Sequence, residues 1–299
     1  MRALKYFLPL FLLFSFNRAI AQNNIVVLQT DFGLKDGAVS AMKGVAMGVS
    51  PNVKLFDLTH EIPNYNIWEA SYRLYQTINY WPKGTVFVSV VDPGVGTSRK
   101  SVVVKTKTGQ FIVTPDNGTL THVAEAFGIA EVREIDEAIN RRKESGKSYT
   151  FHGRDVYVYT ASRLAAGVIT YEQVGKALPA KVVTIPYQHS VLEAGTLKGT
   201  IAILDIQYGN VWTDISDEMF AKLNVKFGDV LHLKIFNKGT KVYEGDVPYS
   251  KTFGDVAEGQ PLAYLNSLLQ LSFALNMGNF AETHKIGSGA DWSVEVTKK

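Results

Sequence analysis

Asp92 and Arg99 stand with six residues between them, Pro-Gly-Val-Gly-Thr-Ser, directly after the apolar run Thr85-Val-Phe-Val-Ser-Val-Val91. The β-branched and aromatic content of that run predicts a buried strand. Pro93 with Gly94 and Gly96 then predicts a tight turn where the strand stops. An acid and a base are thereby fixed on one short loop beyond a strand's carboxyl end, where open parallel sheets usually hold their ligands. An ordinary ion pair that closes the turn is the alternative. His152, in Phe151-His-Gly-Arg-Asp155, is the third group with chemistry in reach. Just before a predicted helix, it is either a cap or surface group or a proton carrier near neutral pH. Two acids, Asp31 and Asp36, share the stretch Thr30-Asp-Phe-Gly-Leu-Lys-Asp-Gly37, and aromatic groups mark Asp205-Ile-Gln-Tyr-Gly-Asn-Val-Trp-Thr213 and Tyr249-Ser-Lys-Thr-Phe253. The last two are either hairpin turns with packed rings or binding loops. Metal-ligand spacing, a P-loop and a dinucleotide-binding glycine fingerprint are absent from the sequence.

The elements that must position these groups follow from apolar spacing. Ile25-Val-Val-Leu28 predicts a strand feeding the acidic loop, and Val39, Met42, Val45, Ala46 and Val49 recur at helical spacing after it. Lys54 to Asp57 predicts a second strand and Ile67 to Asn79 a second helix. Ser101 to Lys105 and Phe111 to Val113 predict strands around a Thr108-Gly109 turn, and Leu120 to Phe127 a further helix. The stretch Thr150 to Asp155 opens a predicted helix that runs to about Ala166, stopped by Gly167. The charged stretch Asn140 to Lys147 reads as a solvated loop. This alternation predicts an N-terminal α/β domain, residues 22–190, with a mostly parallel sheet flanked by helices. After a lapse from Pro186 to Thr196, short alternating runs at Gly199–Leu204, Val230–Phe236 and Tyr264-Leu265 predict an all-β C-terminal domain, residues 195–299.

A chain of 299 residues that is 46% hydrophobic has the material for two cores. Arg2 and Lys5 precede the apolar run Tyr6 to Phe16, and Ala19-Ile-Ala21 supplies a cleavage site, so residues 1–21 read as a signal peptide. Its apolar run is too short to span a membrane. Losing Arg2, Lys5 and Arg18 takes the 31 basic residues to 28, equal to the 28 acidic ones. A neutral mature chain lacks a nucleic-acid footprint, and no membrane attachment is expected after cleavage. With no cysteine, disulfides, a thiolate nucleophile and a lipoprotein anchor are excluded. Periplasmic or secreted localisation is the expectation.

Six stretches occur in a recognisable order: Thr30-Asp-Phe-Gly33 with Asp36 and Met42-Lys-Gly44, Val91-Asp-Pro-Gly-Val-Gly-Thr97 with Arg99, Thr114-Pro-Asp-Asn-Gly118, Phe151-His-Gly-Arg-Asp155, Tyr208-Gly-Asn-Val-Trp-Thr213, and Asn266-Ser267. In these the chain resembles the S-adenosyl-L-methionine (SAM) hydroxide adenosyltransferases, relatives of the fluorinase and chlorinase. The resemblance implies an α/β N-terminal domain, a β-barrel-like C-terminal domain, and a homotrimer with its sites at subunit interfaces. It implies attack of water or hydroxide at ribose C5′ of SAM, giving adenosine and L-methionine, with SAM as substrate and no cofactor or metal. The catalytic set it implies is Asp92, Arg99 and His152. Arg99 would stabilise hydroxide character, Asp92 would orient Arg99 or the water, and His152 would accept a proton.

The same resemblance places Asp31 on the ribose diol, Asp36 and Ser267 on the methionine amino and carboxylate groups, and Phe253, Tyr208 and Asn210 around adenine. Tyr65 and Phe151 would line the ribose side. Leu268 departs from the family pattern, which has a polar or small residue there. The alternatives are an exported nucleoside or SAM-binding protein without catalysis, and a SAM-dependent halogenase. The direct passage through the Thr108-Gly109 turn, without the fluorinase's insertion, argues against the halogenase; Gly153 is a feature shared with the chlorinase.

Overall fold

The computed structural model describes residues 23–299, and the leader expected at residues 1–21 lies outside them. The first strand, β1 (Ile25–Thr30), is buried at five of its six positions, as a strand covered on both faces must be. It is followed by α1 (Ala38–Val49), β2 (Lys54–Thr59), α2 (Ile67–Ile78), β3 (Val86–Val90), β4 (Ser101–Thr106) and β5 (Phe111–Pro115). Then come α3 (Thr121–Phe127), β6 (Ile129–Glu134), α4 (Glu137–Asn140), a π-helical turn at Gly153–Tyr157, α5 (Val158–Ala165) and β7 (Ala177–Leu178). The two-residue side-chain period of β1 and β3 divides the core. Val26, Leu28, Val86 and Val88 pack with Met42 and Ala46 of α1 and Ala161 of α5. Val27 and Phe87 pack on the other face with Leu74 and Ile78 of α2.

The strand order is β2-β1-β3-β5-β4-β6-β7. Pairing is parallel from β2 to β5 and antiparallel beyond. The sheet is therefore mixed, and its parallel part carries β1 and β3. The antiparallel part begins at the β4–β5 hairpin, whose turn Gly109 closes at φ +98, a conformation that only glycine adopts freely. From β1 the chain runs first to β2 on one side and then returns to β3 on the other, making β1/β3 the switch point of the topology. Thr30 and Val90 are partners there. Asp31 and Asp92 consequently emerge from neighbouring strand ends.

The C-terminal region contains β8 (Val191–Glu193), β9 (Thr196–Asp205), β10 (Asn210–Ser216), α6 (Asp217–Ala221), β11 (Val230–Asn237) and β12 (Thr240–Pro248). It ends with β13 (Pro261–Leu265), β14 (Gln270–Leu275), α7 (Phe280–His284) and β15 (Trp292–Lys298). Its antiparallel sheet runs β12-β11-β15-β9-β10-β14-β13, with β8 added to β9. A bridge between Tyr249 and Ala263 brings the two end strands together into a nearly closed barrel. Leu231, Leu233 and Ile235 of β11 point into its core. Asn210–Thr213, read from sequence as part of a loop, is the start of β10. The turn ends at Gly209, whose φ of +69 reverses the chain early.

Helix α2 joins the two regions. Trp68 Nε1 donates to the Ala202 carbonyl at 2.7 Å, Arg73 Nη2 to the Leu204 carbonyl at 3.0 Å, and the Tyr72 hydroxyl to Gln270 Oε1 at 2.7 Å. Beside these contacts, His122 and Asp214 line one cavity of about 270 Å³. Burial pushes Asp214 up to about 6 and His122 down to about 4. The folded chain holds the Asp214 proton more tightly than the unfolded chain, so this group loses stability as pH rises from about 4 to about 6. His122 resists protonation on folding and adds stability as pH rises from about 4 towards about 6.5. The two slopes oppose each other. Asp214→Asn removes the first and retains an acceptor for the Thr200 amide, now 2.7 Å away. Urea unfolding will show stability rising more steeply between about pH 4 and 6.5, and exceeding the parent at pH 7 by up to about 3 kcal/mol. A loss at pH 7 would contradict this electrostatic assignment.

Candidate functional site

At the end of β3 the chain turns sharply. Val95 N donates to the Asp92 carbonyl at 3.2 Å and Thr97 N to the Gly94 carbonyl at 3.0 Å, and Gly96 takes φ +77. This fold-back returns Arg99 to Asp92. Arg99 Nε donates to both carboxylate oxygens, at 3.0 and 3.1 Å, and Nη2 reaches Oδ2 at 2.5 Å. The side chains are 5% and 12% exposed, so the pair is largely withdrawn from water. Arg99 Nη1 also donates to Ser101 Oγ at 3.0 Å, and the guanidinium lies 5.7 Å from the Tyr157 ring centre. Burial disfavours the arginine cation, but the Asp92 hydrogen bonds and Tyr157 more than offset it and hold Arg99 protonated. The pair closes the turn, and Asp92 also faces a cavity.

That cavity, of about 240 Å³, is lined by Asp31, Tyr65, Asp92, Phe151, His152 and Gly153 among others. Asp31 Oδ2 accepts from the Tyr65 amide at 2.9 Å. Tyr65 is held at φ +66 and its side chain is exposed; a non-glycine residue there stores strain of roughly 1 kcal/mol. Phe32 and Phe151 meet edge to face at 5.7 Å. A Cβ on Gly153 would come within 3.3 Å of the Phe32 ring, so a glycine admits this contact. The helix expected after His152 begins with a π turn, in which Val158 N reaches back to the Gly153 carbonyl. Such wide turns recur at functional sites. Here it places buried Asp155 to accept from Arg142 Nε at 2.9 Å and Arg154 Nη2 at 2.7 Å.

His152 is 4% exposed. Its Nε2 lies 3.2 Å from Arg141 Nη2 and 3.7 Å from Glu137 Oε1, while Nδ1 has no hydrogen-bond partner among the described residues. Burial lowers its pKa; Glu137 opposes that shift, and Arg99 and Arg141 reinforce it. The ring is neutral at pH 7. These neighbours correct the reading of Asn140 to Lys147 as a solvated loop. Asn140 is fully buried, donating to the Gln173 and Val174 carbonyls. Arg141 is 10% exposed, paired with Glu137 and stacked 4.7 Å from the Tyr149 ring centre. Sequence reasoning missed Glu137, Arg141 and Tyr157. The i,i+4 spacing of the first two was the available signal.

Tyr208, Asn210, Phe253 and Ser267 come together elsewhere, around a larger cavity of about 730 Å³ in the C-terminal region. Trp212 and Tyr264 complete its aromatic wall, with Phe253 and Tyr264 ring centres 5.0 Å apart. The Trp212 Nε1 to Tyr264 hydroxyl bond is 3.2 Å. The two cavities share no lining residue in one chain. Asp36 lies in neither: exposed, it accepts from the Ala38 amide at 2.8 Å at the start of α1. Leu268 packs against the cluster of Tyr72, Ile203 and Trp212, an apolar environment that suits a leucine. No cluster of three His, Cys, Asp or Glu side chains suited to a metal occurs among the described residues.

Comparison with known proteins bears on both regions. Residues 26–175 match the SAM hydroxide adenosyltransferase N-terminal domain and residues 199–293 the C-terminal domain of the same family. The chain is 36% identical over 219 residues to the (R)-S-adenosyl-L-methionine hydrolase of Methanocaldococcus jannaschii, covering 72% of this chain and 74% of that protein. It is 29% identical to the fluorinase of Actinopolyspora mzabensis, covering 92% and 97% of the two chains. A crystal structure of an uncharacterized conserved protein from Thermotoga maritima superposes with a TM-score of 0.82 at 37% identity, over 91% of this chain and 99% of that one. With both domain matches on a single chain, in the order of its mixed sheet and its barrel, the chain belongs to the SAM hydroxide adenosyltransferase family.

Proposed function

We propose that this protein hydrolyses SAM to adenosine and L-methionine, and that the chemistry occurs beside Asp92. The observation that carries the reading is the buried Asp92–Arg99 pair sharing its surroundings with His152 and Asp31. In the reaction a water oxygen bonds to ribose C5′ as the C5′–S bond breaks, and its electron pair leaves with the sulfur of methionine. The sulfonium loses its charge in the transition state, so a pocket with little water favours the step, provided the nucleophile is held in line. The attacking water must also release a proton. Asp92 is the acceptor in reach, and Arg99, which stays protonated, stabilises the oxygen electrostatically. A carboxylate that only accepts hydrogen bonds suits water, which donates, and not a halide, which cannot.

The remaining residues take their roles from the substrate's groups. Asp31 suits the ribose diol, two adjacent donors that one carboxylate accepts together, with Tyr65 and Phe151 on the ribose side. Tyr208, Phe253 and Asn210 suit adenine, and Asp36 and Ser267 the methionine head group. The residues for adenine and those for the reacting carbon line separate cavities within one chain. This supports sites completed between copies, the C-terminal cavity of one facing the Asp92 cavity of the next, in the homotrimer that the family resemblance implies. Light scattering of active protein will give three times the mass of one chain; a fully active monomer would overturn the arrangement. The leader's basic residues, apolar run and Ala19-Ile-Ala21 support export to the periplasm or beyond, which N-terminal sequencing of the exported protein tests. Detection of adenosine and methionine after incubation with SAM tests the activity itself.

A further inference from the structure

Arg141 lies behind His152, directly after the last residue of α4, and lines neither cavity. A guanidinium has only donors, so the 3.2 Å contact from Arg141 Nη2 requires a bare lone pair on His152 Nε2. In a neutral imidazole the proton must then sit on Nδ1. Nδ1 is the buried ring nitrogen without a partner among the described residues, on a side chain that lines the Asp92 cavity. Arg141 is itself held firmly. Glu137 Oε2 accepts from its Nε at 3.0 Å and its Nη2 at 2.5 Å, and Tyr149 covers its face.

We propose that Arg141 is a positioning residue that locks His152 as a hydrogen-bond donor at Nδ1, so that His152 holds the oxygen of the attacking water while Asp92 takes its proton. This rests on the hydrolytic reading of the site and replaces the proton-accepting role for His152 that the family resemblance suggested. The reaction balances. Water gives its oxygen to C5′ and one proton to the Asp92 carboxylate, the sulfur keeps the electron pair, and His152 gains and loses nothing. The groups facing His152 are Glu137 from α4, Arg141 directly after it, Asp92 and Arg99 from the loop after β3, and the rings of Tyr149 and Tyr157. Without Arg141, the Glu137 carboxylate at 3.7 Å would attract a proton to Nε2.

Histidine-selective ¹⁵N NMR of the mature protein, with His152 assigned by comparison with His152→Gln, reads the tautomer directly. The parent will show a protonated Nδ1 and a bare Nε2 between about pH 6 and 8. Arg141→Met will move the proton to Nε2 and lower kcat at about pH 7 to 8 with little change in KM. Arg141→Lys, also only a donor, will restore the parent tautomer. A parent His152 protonated on Nε2, or an Arg141→Met variant with unchanged tautomer and kcat, would overturn the proposal. The NMR readout on the parent needs no variant to fold and no turnover. Absence of SAM hydrolysis with the proton on Nδ1 would thus sink the functional reading alone, and hydrolysis with the proton on Nε2 would sink this inference alone.

Discussion

Asp92→Asn will lower adenosine formation from SAM by about two orders of magnitude or more, the scale of a lost general base. Asparagine keeps the size and one carbonyl acceptor, but it no longer receives the proton that the attacking water must lose. It also leaves the Arg99 cation, only 12% exposed, without its counter-charge. Breaking a buried pair from one side costs about 3 kcal/mol, so reduced stability accompanies reduced activity. Pairing Asp92→Asn with Arg99→Met separates the two effects. Removing both charges relieves the orphaned cation and recovers much of the stability, yet restores no turnover. Steady-state kinetics and urea unfolding on the two variants check this, and a double variant regaining parental kcat would show that the pair is structural.

His152→Ala has the second large effect, a loss of about a hundredfold in kcat, as when one donor is removed from a preorganised site. The imidazole is packed rather than mobile, so alanine also opens space for unaligned water beside Asp92. Because burial lowers the pKa of His152, the parent ring is already neutral at pH 7, and protonation intrudes only below the ordinary histidine value of about 6.5. The parent's kcat will accordingly be flat with respect to this group above about pH 6.5 and fall on the acid side, because a proton added at Nε2 leaves Nδ1 a donor but ends the contact from Arg141 and unseats the ring. In His152→Ala that acid limb disappears. A variant that keeps parental kcat, or keeps the same acid limb, would remove His152 from the reaction.

How far the site could be read from residues alone depended on distance along the chain. Asp92 and Arg99 are bound to one turn whose glycines and proline dictate its sharpness, so their meeting was implicit in the spacing. The acidic loop after β1 was equally legible, because two short apolar runs with helical spacing between them specify neighbouring parallel strands. The π turn at Gly153–Tyr157 was not. Its wider ring is set by Asp155 turning inward to Arg142 and by Phe32 packing over Gly153, contacts with partners outside the helix. Nor was the burial of Arg141. Its charge reads as solvated until Glu137, Tyr149 and His152 are seen to surround it. The barrel was read only in part, since closure through Tyr249 and Ala263 depends on strands far apart in sequence.

Attack of water on C5′ of SAM beside Asp92 is tested most directly by a reaction of the protein with SAM in ¹⁸O-labelled water containing excess chloride and fluoride, with the products read by mass spectrometry. Adenosine will carry one ¹⁸O at its 5′ hydroxyl, with unlabelled L-methionine in equal amount. A 5′-halo-5′-deoxyadenosine as the main product, adenosine without the label, or SAM bound but unconsumed would contradict it.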